Sequence, residues 1–103
     1  MSLADRIQSD LVEAMKRKEA LRVSVLRMTK SAIKNKEIEL RKPLTADEEN
    51  QVLQTLVKQR TESIETFEKG GRKDLADKEK EEREILRSYL PEAVSDAEIE
   101  RVV

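Results

Sequence analysis

Only four residues in this chain of 103 readily break a helix: Pro43, the adjacent pair Gly70 and Gly71, and Pro91. The segments between them are rich in Ala, Leu, Glu, Lys and Arg, which have the highest helix propensities. A sheet protein of this length normally carries more glycine and proline in its turns. We therefore predict an all-α protein, a helical bundle of about four helices.

The first helix is predicted over residues 2–17. Ser2 and Asp5 are spaced as in a capping box, in which two side chains bond the free amides of the first helical turn. No glycine or proline separates this helix from the next. We place a turn at residues 17–19, because one straight rod of about forty residues could not cover its own apolar stripe. That stripe begins with apolar residues at every fourth position: Leu3, Ile7, Leu11 and Met15.

The second and third helices are bounded by clearer signals. The second begins near Glu19 and ends just before Pro43, because the residue that precedes a proline is pushed out of the helical conformation. Thr45 and Glu48 form another capping box, which opens the third helix. The pair of glycines ends that helix, since glycine adopts the left-handed backbone conformation at low cost.

A fourth helix is predicted to end before Pro91, and Ser95 with Glu98 opens a fifth. The apolar positions of the first three helices repeat with helical spacing. We therefore expect these helices to share one core. Its predicted members are Leu11, Met15, Leu21, Val25, Met28, Leu53, Leu56, Val57 and Phe67.

Arg60 falls at the centre of the apolar face of the third helix and therefore needs a partner. Glu79 and Glu82 lie on the apolar line of the fourth helix, which the glycine turn folds back against the third. We predict a structural ion pair between Arg60 and one of these acids, with Glu37 or Glu39 as the alternative partner. The alternative is that these same residues have a functional role, as a catalytic acid or an anion-binding site.

Charge is distributed unevenly along the chain. Residues 16–42 contain ten basic and three acidic side chains, a net charge of +7, whereas residues 75–103 contain five and nine, a net charge of −4. On a regular helix, four cations of the second helix fall within about 60° of one another, outside its apolar arc. They are Arg27, Lys30, Lys34 and Arg41, which we call the basic stripe.

The basic stripe suits a phosphate-bearing partner, because each neutralised phosphate releases counterions and a row of one sign follows a backbone without reading its sequence. The alternative is an ordinary solvated outer face. With one Phe, one Tyr and no Trp, the chain offers little aromatic surface for stacking bases.

Residue types that are absent exclude most catalytic chemistry. Without Cys or His, the chain cannot form a disulfide, a zinc finger, a thiolate nucleophile or an imidazole base. We expect no catalytic residue, no metal and no cofactor. The amino terminus MSLADRIQSD lacks an apolar signal segment, and no apolar run is long enough to span a membrane. We therefore expect a cytoplasmic protein with no membrane contact.

Three stretches of this sequence resemble the YqeY family. They are SVLRMTKSAIKNKEIELRKPLTADE at residues 24–48, KQRTESIETFEKGGRKDLADKE at residues 58–79, and ILRSYLPEAVSDAEIE at residues 85–100. They occur in the same order as in members of the family, and together they span nearly the whole chain. The family is similar to the tail domain of the GatB subunit of the glutamine-dependent aminoacyl-tRNA amidotransferases.

The resemblance implies an all-helical protein in two parts. The first is an amino-terminal helical domain, here residues 1–91. The second is a smaller helical domain that starts after the YLPE turn, of which residues 92–103 are the beginning and most is absent.

The resemblance also implies a function. The tail of the GatB subunit helps to bind the acceptor arm of tRNA, while the glutaminase and kinase chemistry lies elsewhere. The family is catalogued with carbon–nitrogen ligase activity that uses glutamine as amido donor. We expect a tRNA-binding or RNA-associated module that acts with an amidotransferase-like complex and has no catalytic site of its own. The alternative is a helical protein-interaction adaptor without nucleic-acid contact.

Overall fold

A computed structural model describes residues 2–91, and this part of the chain contains four helices and no strand. The predicted all-α fold class is confirmed. The fifth helix predicted near Ser95 and the second domain predicted at residues 92–103 lie outside the described residues. The helices are α1 (Leu3–Lys16), α2 (Ala20–Leu40), α3 (Ala46–Lys69) and α4 (Lys73–Arg87).

The described part of the chain divides into two compact units between residues 52 and 53, so the division falls within α3. In the first unit α1 packs against α2. The buried apolar residues of this unit are Leu3, Ile7, Leu11, Ala14, Val25, Leu26 and Ile33. Those of the second unit are Leu53, Leu56, Val57, Ile64, Ala76, Leu86, Tyr89 and Leu90.

Both predicted capping boxes are confirmed. At the start of α1, the Asp5 amide donates to Ser2 Oγ at 3.1 Å and the Ser2 amide donates to Asp5 Oδ2 at 3.4 Å. At the start of α3, the Glu48 amide donates to Thr45 Oγ1 at 3.2 Å and the Thr45 amide donates to Glu48 Oε1 at 2.9 Å. Each box therefore satisfies two amides that the helix itself leaves unbonded.

Three of the helices end in the same way, with one residue in the left-handed conformation. These residues are Lys18 and Arg41, each with φ of 58°, and Gly71, with φ of 75°. In each case the amide of the following residue donates to the carbonyl five positions earlier, at 2.8 to 3.2 Å. This bond defines the Schellman motif. The ends of α1 and α2 lie close to those predicted from the turn at residues 17–19 and from Pro43, but only the third end has a glycine at the left-handed position.

Lys18→Gly is expected to raise the free energy of unfolding by about 0.5–1 kcal/mol, because a left-handed backbone strains a residue that has a Cβ. Gly71→Ala is expected to lower it by about 1 kcal/mol. No heavy atom lies within 4 Å of the position that a Cβ on Gly71 would take, so the cost there is conformational. Urea unfolding followed by circular dichroism measures both changes, and a Lys18→Gly chain no more stable than the wild type would contradict this account.

Met15 corrects the predicted core, since this residue is 42% exposed. Each step of four residues along a helix adds about 40° of rotation, so the fourth member of the line has turned well away from Leu3. Ala14 takes the buried position instead. Of the other predicted core residues, Leu11, Val25, Leu53, Leu56 and Val57 are buried, whereas Leu21, Met28 and Phe67 are half-buried.

Within residues 2–91, none of the helices combines the length and the apolar character that crossing a membrane requires.

Candidate nucleic-acid interface

The two faces of α2 differ sharply in character. One face buries Val25, Leu26, Thr29 and Ile33. The hydroxyl of Thr29 donates to the carbonyl of Val25 at 2.8 Å, so this buried polar group is satisfied. The opposite face exposes three cations of the basic stripe to solvent: Arg27, Lys30 and Lys34.

Two cations of the basic stripe are held against α1. Lys30 Nζ donates to Gln8 Oε1 at 2.6 Å, and Arg27 Nη2 lies 3.6 Å from Met15 Sδ. Within residues 2–91, none of the four basic-stripe side chains forms an ion pair with an acidic group. The described part of the protein therefore positions these charges without neutralising them.

Arg41 stands apart from the other three cations. It is exposed, but α2 ends at Leu40 and Arg41 adopts the left-handed cap conformation. The predicted 60° grouping assumed a regular helix through this residue. The helical row therefore has three members, with Arg41 just beyond its carboxyl end.

Arg60 lies in the second unit, where the structure brings it to both predicted acids. Its Nε is 3.2 Å from Glu79 Oε2 and 3.6 Å from Glu82 Oε1. The side chains of Arg60, Glu79 and Glu82 are 17%, 20% and 9% exposed, so water screens this cluster only in part. The alternative partner Glu39 pairs instead with Lys36 at 3.4 Å.

Burial raises the pKa of Glu82 above its usual value, while the charge of Arg60 opposes that rise. Arg83 Nη1 donates to Thr61 Oγ1 at 3.2 Å, which is a second side-chain contact between α4 and α3. The partly buried cluster itself contains two acids and one cation, Arg60. These contacts link α3 to α4, as expected of a structural ion pair.

Residues 4–103 match the family model described as Yqey-like protein. The chain belongs to the YqeY-like family. The relatives that it resembles include "Altered inheritance of mitochondria protein 41, mitochondrial" from Candida glabrata, 39% identical over 95 residues that cover 89% of this chain and 52% of the relative. The protein of the same name from Lachancea thermotolerans is 39% identical over 100 residues, covering 94% and 54%. The one from Saccharomyces cerevisiae is 35% identical over 96 residues, covering 91% and 51%.

This YqeY-like chain spans about half the length of those relatives. Their names describe mitochondrial proteins, so the predicted cytoplasmic location is wrong. That prediction rested on composition and on the absence of an apolar segment at the amino terminus. Neither feature reports the compartment in which a protein works.

Lys42 is the one basic side chain near the carboxyl end of α2 that pairs with the start of α3 in the described residues. Its Nζ lies 2.5 Å from Glu48 Oε1. This hydrogen bond, followed by that from the Thr45 amide, lowers the pKa of Glu48 to about 2. The carboxylate of the capping box is therefore also the counter-ion of Lys42.

A carboxyl group whose pKa is lower in the folded than in the unfolded chain stabilises the fold when ionised. For Glu48 this contribution is complete above the ordinary pKa of 4.5 and is lost as the pH falls through about 2. We expect the side-chain NMR signal of Glu48 to titrate with a midpoint at pH about 2 in the wild type, and at a higher pH in Lys42→Ala. An unchanged midpoint in that variant would exclude Lys42 as the main cause.

Other chemistry is sparse in the YqeY-like chain. Residues 2–91 contain no group of three or more acidic side chains that could hold a metal ion. A groove of about 360 Å³ along α3 has a single carboxylate in its lining, that of Glu62. The remaining lining residues are Gln59, Ser63, Thr66 and Phe67.

Sequence reasoning missed the α1 side of the interface. Gln8 and Lys30 are 22 positions apart, and nothing in either local pattern predicts their contact. The contact depends on the register in which α1 and α2 pack. The same holds for the bond between Arg83 and Thr61 in the second unit.

Proposed function

We propose that this chain is an RNA-binding module that holds tRNA through its phosphates and has no catalytic site of its own. The observation that carries the proposal is the exposed face of α2, where Arg27, Lys30 and Lys34 have no acidic partner within residues 2–91. The similarity of the family to the tail domain of the amidotransferase GatB subunit supports tRNA as the ligand. It also supports an amidotransferase-like complex as the partner assembly.

The chemistry of the face fits phosphate better than bases. Lysine and arginine form charge-assisted hydrogen bonds with phosphate oxygens, and release of condensed counterions supplies most of the binding free energy. Contacts of this kind set the position of the ligand and carry no sequence information. The module would therefore accept many tRNAs, and its partner assembly would provide the specificity.

The cellular setting in this proposal comes from the relatives. Their names describe mitochondrial proteins, and we propose the same location for the protein that contains this chain.

Salt dependence tests the proposal most simply. Three or four phosphate contacts predict that a plot of log affinity for bulk tRNA against log salt concentration has a slope of about −2 to −4. Filter binding or fluorescence anisotropy over a salt series measures this slope. A slope near zero, or no binding at low salt by a chain that circular dichroism shows to be folded, would refute the proposal.

The second candidate, a protein-interaction adaptor, is favoured by exposed apolar side chains in the first unit. Ile38 is 66% exposed, Met15 42% and Val12 36%. Isolated apolar residues on a surface are common, which makes this the weaker observation. The salt series with tRNA also distinguishes the two candidates. A protein-interaction adaptor without nucleic-acid contact is expected to show no salt-dependent binding of tRNA.

A further inference from the structure

The exposed face of α2 contains two kinds of side chain. Beside the cations lie neutral side chains that are able to donate and accept hydrogen bonds: Ser24, Ser31 and Asn35, all exposed. At about 100° per residue, the cations of the helix and these neutral side chains share an arc of about 140°. The face therefore offers hydrogen-bonding groups as well as positive charge.

Ser31 and Asn35 are placed to act together with the cations. They lie one helical turn apart, and each directly follows a lysine of the basic stripe, Lys30 or Lys34. Neither side chain forms a hydrogen bond with any group of residues 2–91. Their hydroxyl and amide groups thus face solvent alongside two ammonium groups.

Aromatic rings are missing from this face. The only two in the chain, Phe67 and Tyr89, belong to the second unit, and Tyr89 is 5% exposed. Proteins that bind single-stranded RNA usually stack the splayed bases on aromatic side chains. Double-helical RNA needs no such platform, because its bases stay stacked while its shallow minor groove displays phosphates and ribose 2′-hydroxyls.

We propose that α2 binds the minor-groove side of double-helical RNA, with the basic stripe on the phosphates and with Ser31 and Asn35 on ribose 2′-hydroxyls. This inference rests on the proposed function and narrows it. In this inference, Ser31 and Asn35 distinguish RNA from DNA by contacting the 2′-hydroxyls. The cations alone cannot do so, because they contact phosphates, which both nucleic acids carry.

Three probes test the inference with the full chain: a short perfect RNA duplex, the DNA duplex of the same sequence, and one strand of that RNA. Two additional hydrogen bonds predict that the RNA duplex binds about tenfold more tightly than the DNA duplex. Ser31→Ala/Asn35→Ala is expected to lower RNA-duplex affinity to that of DNA while leaving DNA affinity unchanged. Alanine favours helix, so the variant keeps its fold.

The matched control is Ser9→Ala/Gln59→Ala, which removes one exposed hydroxyl from α1 and one exposed amide from α3. It is expected to retain the preference for RNA. Equal binding of the two duplexes, tighter binding of the single strand, or an unaltered preference in Ser31→Ala/Asn35→Ala would each overturn the inference. If binding still depended on salt and on the basic stripe, the proposed function would stand. Absence of binding to every probe would refute both.

Discussion

Replacing Arg60 by alanine is expected to lower the free energy of unfolding by about 2–4 kcal/mol, measured by urea denaturation. The guanidinium lies within 3.6 Å of the carboxylates of both Glu79 and Glu82. The substitution leaves two partly buried acids without their nearest cation. Removing one member of such a cluster lowers the free energy of unfolding by more than the whole cluster contributes to it. The reason is that the remaining charge stays in a poorly solvated site.

Arg72→Ala is the matched control for Arg60→Ala. Arg72 lies 3.4 Å from Asp74, but both side chains are at least 60% exposed. Exposed pairs of this kind contribute about 0–1 kcal/mol, so the control is expected to unfold almost like the wild type. Equal effects of the two substitutions would show that Arg60 is solvated like an ordinary surface residue.

The pH dependence of Arg60→Ala gives a second readout. A carboxyl group whose pKa is raised in the folded state, as burial raises that of Glu82, lowers stability as the pH rises above the unfolded pKa of about 4.5. Without Arg60 to oppose it, the rise in the pKa of Glu82 becomes larger, and so does the loss of stability above that pH. We therefore expect the deficit of Arg60→Ala to be larger at neutral pH than near pH 4, which a merely smaller side chain would not produce.

Reversing two charges of the basic stripe is expected to have the largest effect on function. At about 50 mM salt each phosphate contact contributes roughly tenfold to affinity, so Lys30→Glu/Lys34→Glu should weaken tRNA binding about 100-fold. The slope of log affinity against log salt should become less negative by about 2. The loss should be uniform across tRNA sequences, because phosphate contacts do not read bases.

Lys58→Glu/Lys69→Glu is the control for this charge reversal. Both lysines are exposed on α3 and lie outside the basic stripe, and the change in net charge is the same. General electrostatic attraction would weaken both variants alike, whereas a specific surface weakens the control only slightly. Equal losses in two folded variants would remove the basic stripe as the binding surface.

The positions of the helix ends were predictable, but the left-handed conformation at two of them was not. Ser2 and Thr45 cap their helices through local side-chain bonds, and the glycine pair marks the end of α3. Lys18 and Arg41 end α1 and α2 in the left-handed conformation without any glycine to signal it. The turn at Lys18 lets α1 pack against α2, and such tertiary contacts offset the strain at a residue that has a Cβ.

The candidate site was predictable where it depends on one helix. Periodicity alone places Arg27, Lys30 and Lys34 on one face of α2. It does not reveal that Gln8 and Met15 of α1 hold two of these cations, because those contacts depend on tertiary register. Exposure of Met15 follows from the same geometry, since a line of residues four apart drifts around the helix.

NMR titration with tRNA tests the central claim most directly, because it reports which residues meet the ligand. At low salt, we expect shift changes in the side-chain signals of Arg27, Lys30 and Lys34 and in the α2 backbone around them. We also expect these changes to reverse when salt is added, as counterion release requires. An unchanged spectrum at saturating tRNA, or changes confined to residues 53–91, would contradict the assignment of RNA binding to the exposed face of α2.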